Sequence, residues 1–399
     1  MALLPVPEAQ ARLLALVEPL PVERVPVEEA LGRYLAEPLI ARRTQPPADL
    51  SAMDGYAMRI ADMPGPWRVI GDSACGHPFA GAVGAGEAVR ISTGALMPEG
   101  ANMVLMQEDA ARDGQTLSLT GTPPDPLPKH IRRQGNDFAE GAELLPSGAR
   151  IGPAQIALAL AGGHGYVAVR AVPRLAIIDS GDELSSDPAA CALHQIPASN
   201  GAMLSAMARE MPCVIDRLGP VADTMEALAE ALAQAESADV VVTSGGASVG
   251  DHDLIRPALA AWGAELDFWK VAIKPGKPIM VARRGRQLVV GLPGNPVSSH
   301  VTAYLFLLPL LRALAGSARP LPQAMWLPAA EPFAPGGPRR EFLRGVWDGR
   351  GVTSQINQDS GALGALAHAN VLIERVENAP AAAVGELVPA YWIENGGIA

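Results

Sequence analysis

From Arg174 onward, short apolar runs alternate with amphipathic stretches. Leu175–Ile178, Val214–Arg217, Val240–Thr243, Glu265–Ala272, Ile279–Ala282 and Leu288–Val290 are short and rich in β-branched residues, as strands buried on both faces are. Ser199–Glu210, Thr224–Glu236, the stretch after Asp253 (LIRPALAAW) and Asn295–Ala315 carry helical spacing. This alternation predicts a parallel sheet covered by helices on both faces. Ligands then sit at the C-terminal ends of the strands.

The first half reads differently. Pro7–Val17 and Pro26–Ala36 predict two helices, the second with a proline in its first turn and acids just inside. Arg42–Leu50 is proline-broken and extended. From Ser51 to about Glu140, short apolar runs such as Trp67–Ile70 and Val104–Met106 are punctuated by Gly, Pro and Asp, which predicts a barrel or sandwich. We read this as an insert whose ends, near Thr44 and Gly141, lie close together. Ile151–Gly163 predicts a helix ended by glycines and Gly165–Arg170 a strand. Pro320–Pro322 marks another break, and the Gly- and Pro-rich remainder predicts a small β domain. The expected organisation is a multidomain α/β plus β protein. Residues 1–44 and 141–172 form an N-terminal split domain, 45–140 an inserted β domain, 173–318 a central parallel three-layer α/β domain and 319–399 a C-terminal β domain.

Composition narrows the partners. Of 399 residues, 49% are hydrophobic and 18% charged, enough for real cores. The net charge of −11 argues against nucleic acid or an acidic membrane as partner, so any anion must be held by a local cluster. Cys75, Cys191 and Cys213 are widely spaced, which suits a reducing compartment and offers no thiolate zinc site. The start of the chain lacks a basic region, and the most apolar run, Ala303–Leu311, is broken by Pro309 and closed by Arg312. It falls short of the ~20 residues a membrane span needs. The expectation is a soluble cytoplasmic protein.

Three loops should converge at the strand ends: Ser180–Leu184, Gly245–Asp253 and Leu292–Ser298. In the second, Gly245, Gly246 and Gly250 allow backbone N–H groups to gather around an anion, Ser248 adds a hydroxyl, and Asp253 suits a bridging cation. Pro293-Gly294-Asn295-Pro296 cannot continue a strand; alone it is as well read as a helix-entry turn. Lys270, Lys274 and Lys277 lie within one short segment of an acidic protein and are read as an oxyanion clamp rather than a solvated face. Asp54, Asp137, Asp182, Glu183 and Asp253 lie in Gly- or Ser-containing loops. Singly each is a cap or turn residue; several together would suit magnesium.

The segments SAMDGYA (51–57), STGALMPEGA (92–101), SGDEL (180–184), SGGASVGDHD (244–253), KVAIKPGKP (270–278) and LPGNPVS (292–298), in this order, resemble the molybdopterin molybdenumtransferases. These are the molybdenum insertases, to which the C-terminal domain of gephyrin also belongs. The resemblance covers essentially the whole chain. It implies an elongated homodimer whose α/β domain is similar to molybdopterin adenylyltransferases. The implied reaction joins molybdate to the dithiolene of adenylylated molybdopterin, with Mg2+, and releases AMP. It further implies contact with a molybdopterin adenylyltransferase and with recipient molybdoenzymes.

Carried over on matching positions, the resemblance implies catalytic roles for Asp54 (reaching the site from the partner subunit), Thr93, Asp137, Glu183, Asp253, Lys270 and Lys274. Glu183, Asp253 and Asp54 are the implied metal ligands. Ser180, Gly245, Gly246, Ser248, Gly250, Lys277, Pro293, Gly294, Asn295, Pro296, Ser298, Arg340, Arg344 and Ser360 are the implied substrate-binding residues. The chain departs from the family pattern in four places. Ser180 stands for a usual Thr, Ala198 for the acid of a D-S-N triplet, Asn102 for Asp and Asn136 for Glu. Two other readings stay open: an adenylyltransferase acting one step earlier, and a non-catalytic scaffold.

Overall fold

The computed structural model describes residues 3–121, 130–245 and 254–393. Gly246, Ser248, Gly250 and Asp253 lie outside the described residues.

The α/β domain is organised on a six-stranded sheet. Its strands are β1 (Arg174–Ser180), β2 (Val214–Val221), β3 (Val240–Ser244), β4 (Glu265–Trp269), β5 (Met280–Arg284) and β6 (Gln287–Leu292), in the order β2-β1-β3-β6-β5-β4. β3 is central and buried along its whole length, as its unbroken Val-Val-Val-Thr run requires. Helices α1 (Asn200–Ala208) and α4 (Pro296–Leu314) pack on one face, and α2 (Met225–Gln234) and α3 (Ile255–Ala261) on the other. Thr224 starts α2 by accepting a hydrogen bond from Ala227 N at 3.2 Å.

The sheet departs from an all-parallel arrangement at one end. β2, β1, β3 and β6 are parallel, but β5 runs antiparallel to both β6 and β4. Only Gly285 and Arg286 separate β5 from β6, with Gly285 at φ 58°, so the chain makes a hairpin; a parallel return needs a crossover of a dozen or more residues. Because two reversals cancel, β4 points the same way as β3 and β6.

Two further helical expectations change. Pro26–Ala36 yields only the 3-10 turn Val27–Glu29, after which Gly32 at φ 77° turns the chain. Pro26 itself ends a strand, Val22–Pro26, paired with Tyr166–Arg170, and that pairing outweighs the local helical pattern. Pro309 does not break α4. A π-helical stretch, Ala303–Leu307, lies just before it, and widening that turn makes room for the proline ring. The helix therefore runs the 19 residues from Pro296 to Leu314, long and apolar enough for a membrane span, but 83% of its most apolar window is buried inside the protein. It is a core helix.

The inserted segment forms a six-stranded sheet around Gly55–Met58 and Glu87–Ile91. Its ends meet: Glu140 N donates to Thr44 Oγ1 (3.1 Å) and Gly141 N to Ala41 O (2.8 Å). The C-terminal sheet is built on Arg340–Trp347 and takes Ile273–Lys274 from the α/β segment as its edge strand.

Candidate active site at the strand ends

β1, β3 and β6 end side by side, at Ser180, Ser244 and Leu292, and open into a cavity of about 430 Å³. Ser180, Glu183, Gly245, Gly294, Asn295 and Pro296 line it, as expected from sequence. Leu184, Ile196, Pro197, Ala198, Ser199, Gly361 and Leu363 complete its walls. Gly245 sits at φ 104°, where a Cβ would lie 2.7 Å from Ser180 O; the loop therefore needs glycine there.

Three lining residues went unnoticed in the sequence as a group: Asp179, Asn200 and Ser244. Asp179 is 5% exposed and is the second-to-last residue of the buried run of β1; a carboxylate in that position was the available signal. Its Oδ2 accepts from Gly201 N at 2.9 Å, fixing the start of α1 from outside the helix. Burial raises its pKa, opposed by the Gly201 N–H, by Arg217 and by the Ser244 hydroxyl. Asn200 Nδ2 then bridges two loops, donating to Ser244 Oγ (2.9 Å) and to Gly294 O (2.7 Å). Ser180 Oγ is buried without a hydrogen-bond partner among the described residues, at the cavity wall.

Glu183 is exposed at the mouth, its carboxylate folded back over Gly181. Its backbone carbonyl accepts from Ile196 N at 2.8 Å, which holds the mouth loop in place. Beside it, Asp182 Oδ1 accepts from Asp223 N at 3.1 Å. Burial and the charges of Asp182 and Glu183 raise the Asp223 pKa, so this rim carries a negative field. Among the described residues no group of three or more His, Cys, Asp or Glu is gathered to hold a metal ion.

The PGNP turn is closed by the C-terminal domain. Asn295 Nδ2 donates to Ser360 Oγ (3.0 Å), and Val297 N donates to Ser360 O (3.1 Å). Arg344, 1% exposed, orders that loop by donating Nη2 to Asn357 O (3.3 Å) and Asp359 O (2.9 Å). Arg340 is held by Glu374 (3.1 Å) and Glu377 (3.3 Å). Arg344 thus serves the loop's framework while Arg340 is neutralised by its two glutamates, and both lie outside the cavity lining, as do Pro293 and Ser298.

The lysines separate. Lys274 Nζ pairs with Glu341 Oε1 at 2.9 Å. Lys270, at φ 69°, places its Nζ 4.0 Å from the centre of the Trp269 ring. The backbone carbonyl of Lys277 accepts from Val271 N, closing the turn at 3.1 Å.

Asp54 and Thr93 come together on the inserted sheet, away from the cavity lining. Thr93 N donates to Asp54 Oδ1 at 2.7 Å and Thr93 Oγ1 to the same oxygen at 3.2 Å, and these bonds lower the Asp54 pKa. Asp137 is exposed, its backbone N–H donating to Gln45 O at 3.0 Å. Asn102 Oδ1 accepts from Ile60 N at 2.7 Å, a bond the usual Asp would also make.

Comparison with known proteins agrees along the whole chain. The MoeA N-terminal region (domain I and II) matches residues 4–163, a probable molybdopterin binding domain matches 176–313, and the MoeA C-terminal region (domain IV) matches 327–393. A molybdopterin molybdenumtransferase of Haemophilus influenzae is 36% identical over 77% of this chain and 77% of its own length. One from Staphylococcus aureus is 31% identical over 93% and 91%. The crystal structure of a molybdopterin biosynthesis moeA protein from Pyrococcus horikoshii superposes with a TM-score of 0.83 at 27% identity, covering 98% of this chain and all of that one.

Proposed function

The chain belongs to the molybdopterin molybdenumtransferase family, and from that premise we propose that it inserts molybdate into adenylylated molybdopterin, releasing AMP and the molybdenum cofactor. The observation that carries this reading is the cavity at the ends of β1, β3 and β6, walled by strand-end loops and closed by the C-terminal Ser360 loop. An elongated, phosphorylated heterocycle fits such a crevice. The C-terminal loop is an element that an adenylyltransferase reading leaves unexplained.

The residues divide the task. Ser180 Oγ, the backbone of Gly245 and Gly294, and Asn200 line the space where the substrate is bound and oriented. Lys270 supplies positive charge against the oxyanions. Glu183 orients the group that attacks the pyrophosphate, or holds the cation that neutralises it. Magnesium fits this donor set, because it binds through one or two carboxylates and substrate phosphates while keeping its own waters. Glu183 would hold it, with Asp253 from outside the described residues; bound there it would offset the charge that cleavage builds on oxygen. We further propose that the chain works in the cytoplasm as a homodimer in which Asp54 and Thr93 approach the cavity of the other subunit. Interaction with an adenylyltransferase and with recipient molybdoenzymes belongs to the same proposal.

Glu183→Gln tests the assignment. Its side chain is exposed, so folding and binding of adenylylated molybdopterin should persist while molybdate-dependent AMP release falls sharply. Normal AMP release per folded protein refutes the catalytic role. A wild-type protein that forms adenylylated molybdopterin from ATP, instead of consuming it, would favour the adenylyltransferase.

A further inference from the structure

Trp269 ends β4, and Lys270 follows it with a left-handed backbone. Side chains other than Gly and Asn rarely adopt that conformation, and such strain concentrates at functional sites. Here it carries the ammonium onto the indole, 4.0 Å from the ring centre. A second cation reaches the same ring: the Arg256 guanidinium, from the first turn of α3, lies 4.4 Å from its centre. Two cations gathered on one indole repel each other. Among the described residues neither has a carboxylate within ion-pair distance, whereas Lys274 in the same segment is neutralised by Glu341.

The topology places this pair at the edge of the active site. β4 runs in the direction of β3 and β6, so Trp269 leaves the sheet on the cavity's side. The register Trp269–Met280–Gly291–Thr243 crosses three strand spacings, which is about 14 Å along that edge. A substrate with one end in the cavity, joined through phosphates, is long enough to bring an oxyanion to this point.

We propose that Arg256 is a further anion-binding residue of this site, acting with Lys270 on a tetrahedral oxyanion, and that Trp269 is the residue that positions both. This rests on the reading that the site handles a phosphorylated substrate and molybdate. The indole gives the two cations a fixed geometry when no ligand is bound, and the anion resolves their repulsion when it arrives.

The test is equilibrium binding of AMP, pyrophosphate and molybdate, each alone, to the full-length protein at low and high salt, with AMP release measured separately. Arg256→Gln should weaken binding of at least one of these anions roughly 10-fold or more and reduce its salt dependence. Which anion responds identifies what occupies the seat. Trp269→Leu should weaken the same anion by roughly 2- to 5-fold, with Trp269→Phe restoring most of the loss. In the Trp269→Leu background, Arg256→Gln should cost less than it does alone. Unchanged binding of all three anions by a folded Arg256→Gln protein overturns the proposal; it would mean that the guanidinium serves only to pack on the indole. A wild-type protein that binds none of the three overturns it too. The two readings fail separately. Turnover with no Arg256 effect leaves the insertase standing and removes the seat. Arg256-dependent anion binding without AMP release does the reverse.

Discussion

Gly201→Ala sets helix propensity against tertiary geometry. Position 201 lies in the first turn of α1, and by propensity alone Ala is better there than Gly by about 1 kcal/mol. The structure predicts the opposite sign. A Cβ at 201 would sit 2.1 Å from Asp179 Oδ2, so the buried carboxylate must retreat by about an ångström. It then loses the 2.9 Å hydrogen bond from Gly201 N, a charge-assisted bond worth about 1.5–3 kcal/mol. Crowding adds about 1–3 kcal/mol. With the propensity gain subtracted, the net loss is about 1.5–5 kcal/mol, or roughly 5–15 °C in the melting temperature of a domain of this size. Thermal unfolding checks it, read alongside the same substitution in an Asp179→Ala background. There the oxygen is gone and Gly201→Ala should be neutral or stabilising by up to about 1 kcal/mol, a coupling of about 1.5 kcal/mol or more. If Gly201→Ala raises the melting temperature of the otherwise wild-type protein, the reasoning is refuted. Asn200 adjoins this position and bridges Ser244 and Gly294, so the single variant should also bind adenylylated molybdopterin more weakly.

Other expectations follow from the same geometry. Burial holds the His300 pKa down at about 4, against about 6.5 in an unfolded chain, so the unfolded state binds more protons between those values. Stability should therefore be intact above pH 6.5 and fall by up to about 3 kcal/mol toward pH 4; His300→Leu should flatten that limb in acid-melting curves. Asp54, lowered by the Thr93 bonds, should keep the Thr93 amide protected from hydrogen exchange until the pH falls through its depressed pKa, and Asp54→Asn should speed exchange at neutral pH. Lys274→Gln removes a half-exposed ion pair, so it should cost at most about 1 kcal/mol in urea unfolding. It should also weaken anion binding less than Lys270→Gln does, and the reverse ranking would show that Lys274 leaves Glu341 to meet the ligand.

Features set by a few adjacent residues were legible along the chain. The Val-rich run of β3, the glycine after it and the Pro-Gly-Asn-Pro turn each declare a strand end locally, and all three meet at the cavity. The meeting of Thr44 with Glu140 followed from the change of texture between the insert and its flanks. Features set by pairing were not legible. The Gly285 turn contains the signal for a hairpin, but Met280–Ala282 of β5 and all of β6 are buried and read like the apolar core of parallel strands. The role of Ile273–Lys274 as an edge strand depends on Arg340, 66 residues after Lys274 in the numbering.

The lysines show the same limit within the site. Three cations in nine residues give one charge pattern, yet their surroundings divide them. Glu341 reaches Lys274 through the C-terminal sheet, while Lys270 is turned onto Trp269 by a backbone conformation that spacing does not reveal. Arg344 shows the converse. It looks like an anion ligand in sequence, but it is buried among the carbonyls of Asn357 and Asp359, where its charge holds a loop together. That loop presents Ser360 to Asn295 and so shapes the cavity from a separate domain. A cation's part in this site therefore depends on whether an acid or a carbonyl of the protein already meets its charge. By that criterion, among the described residues, Lys270 and Arg256 remain available to a substrate.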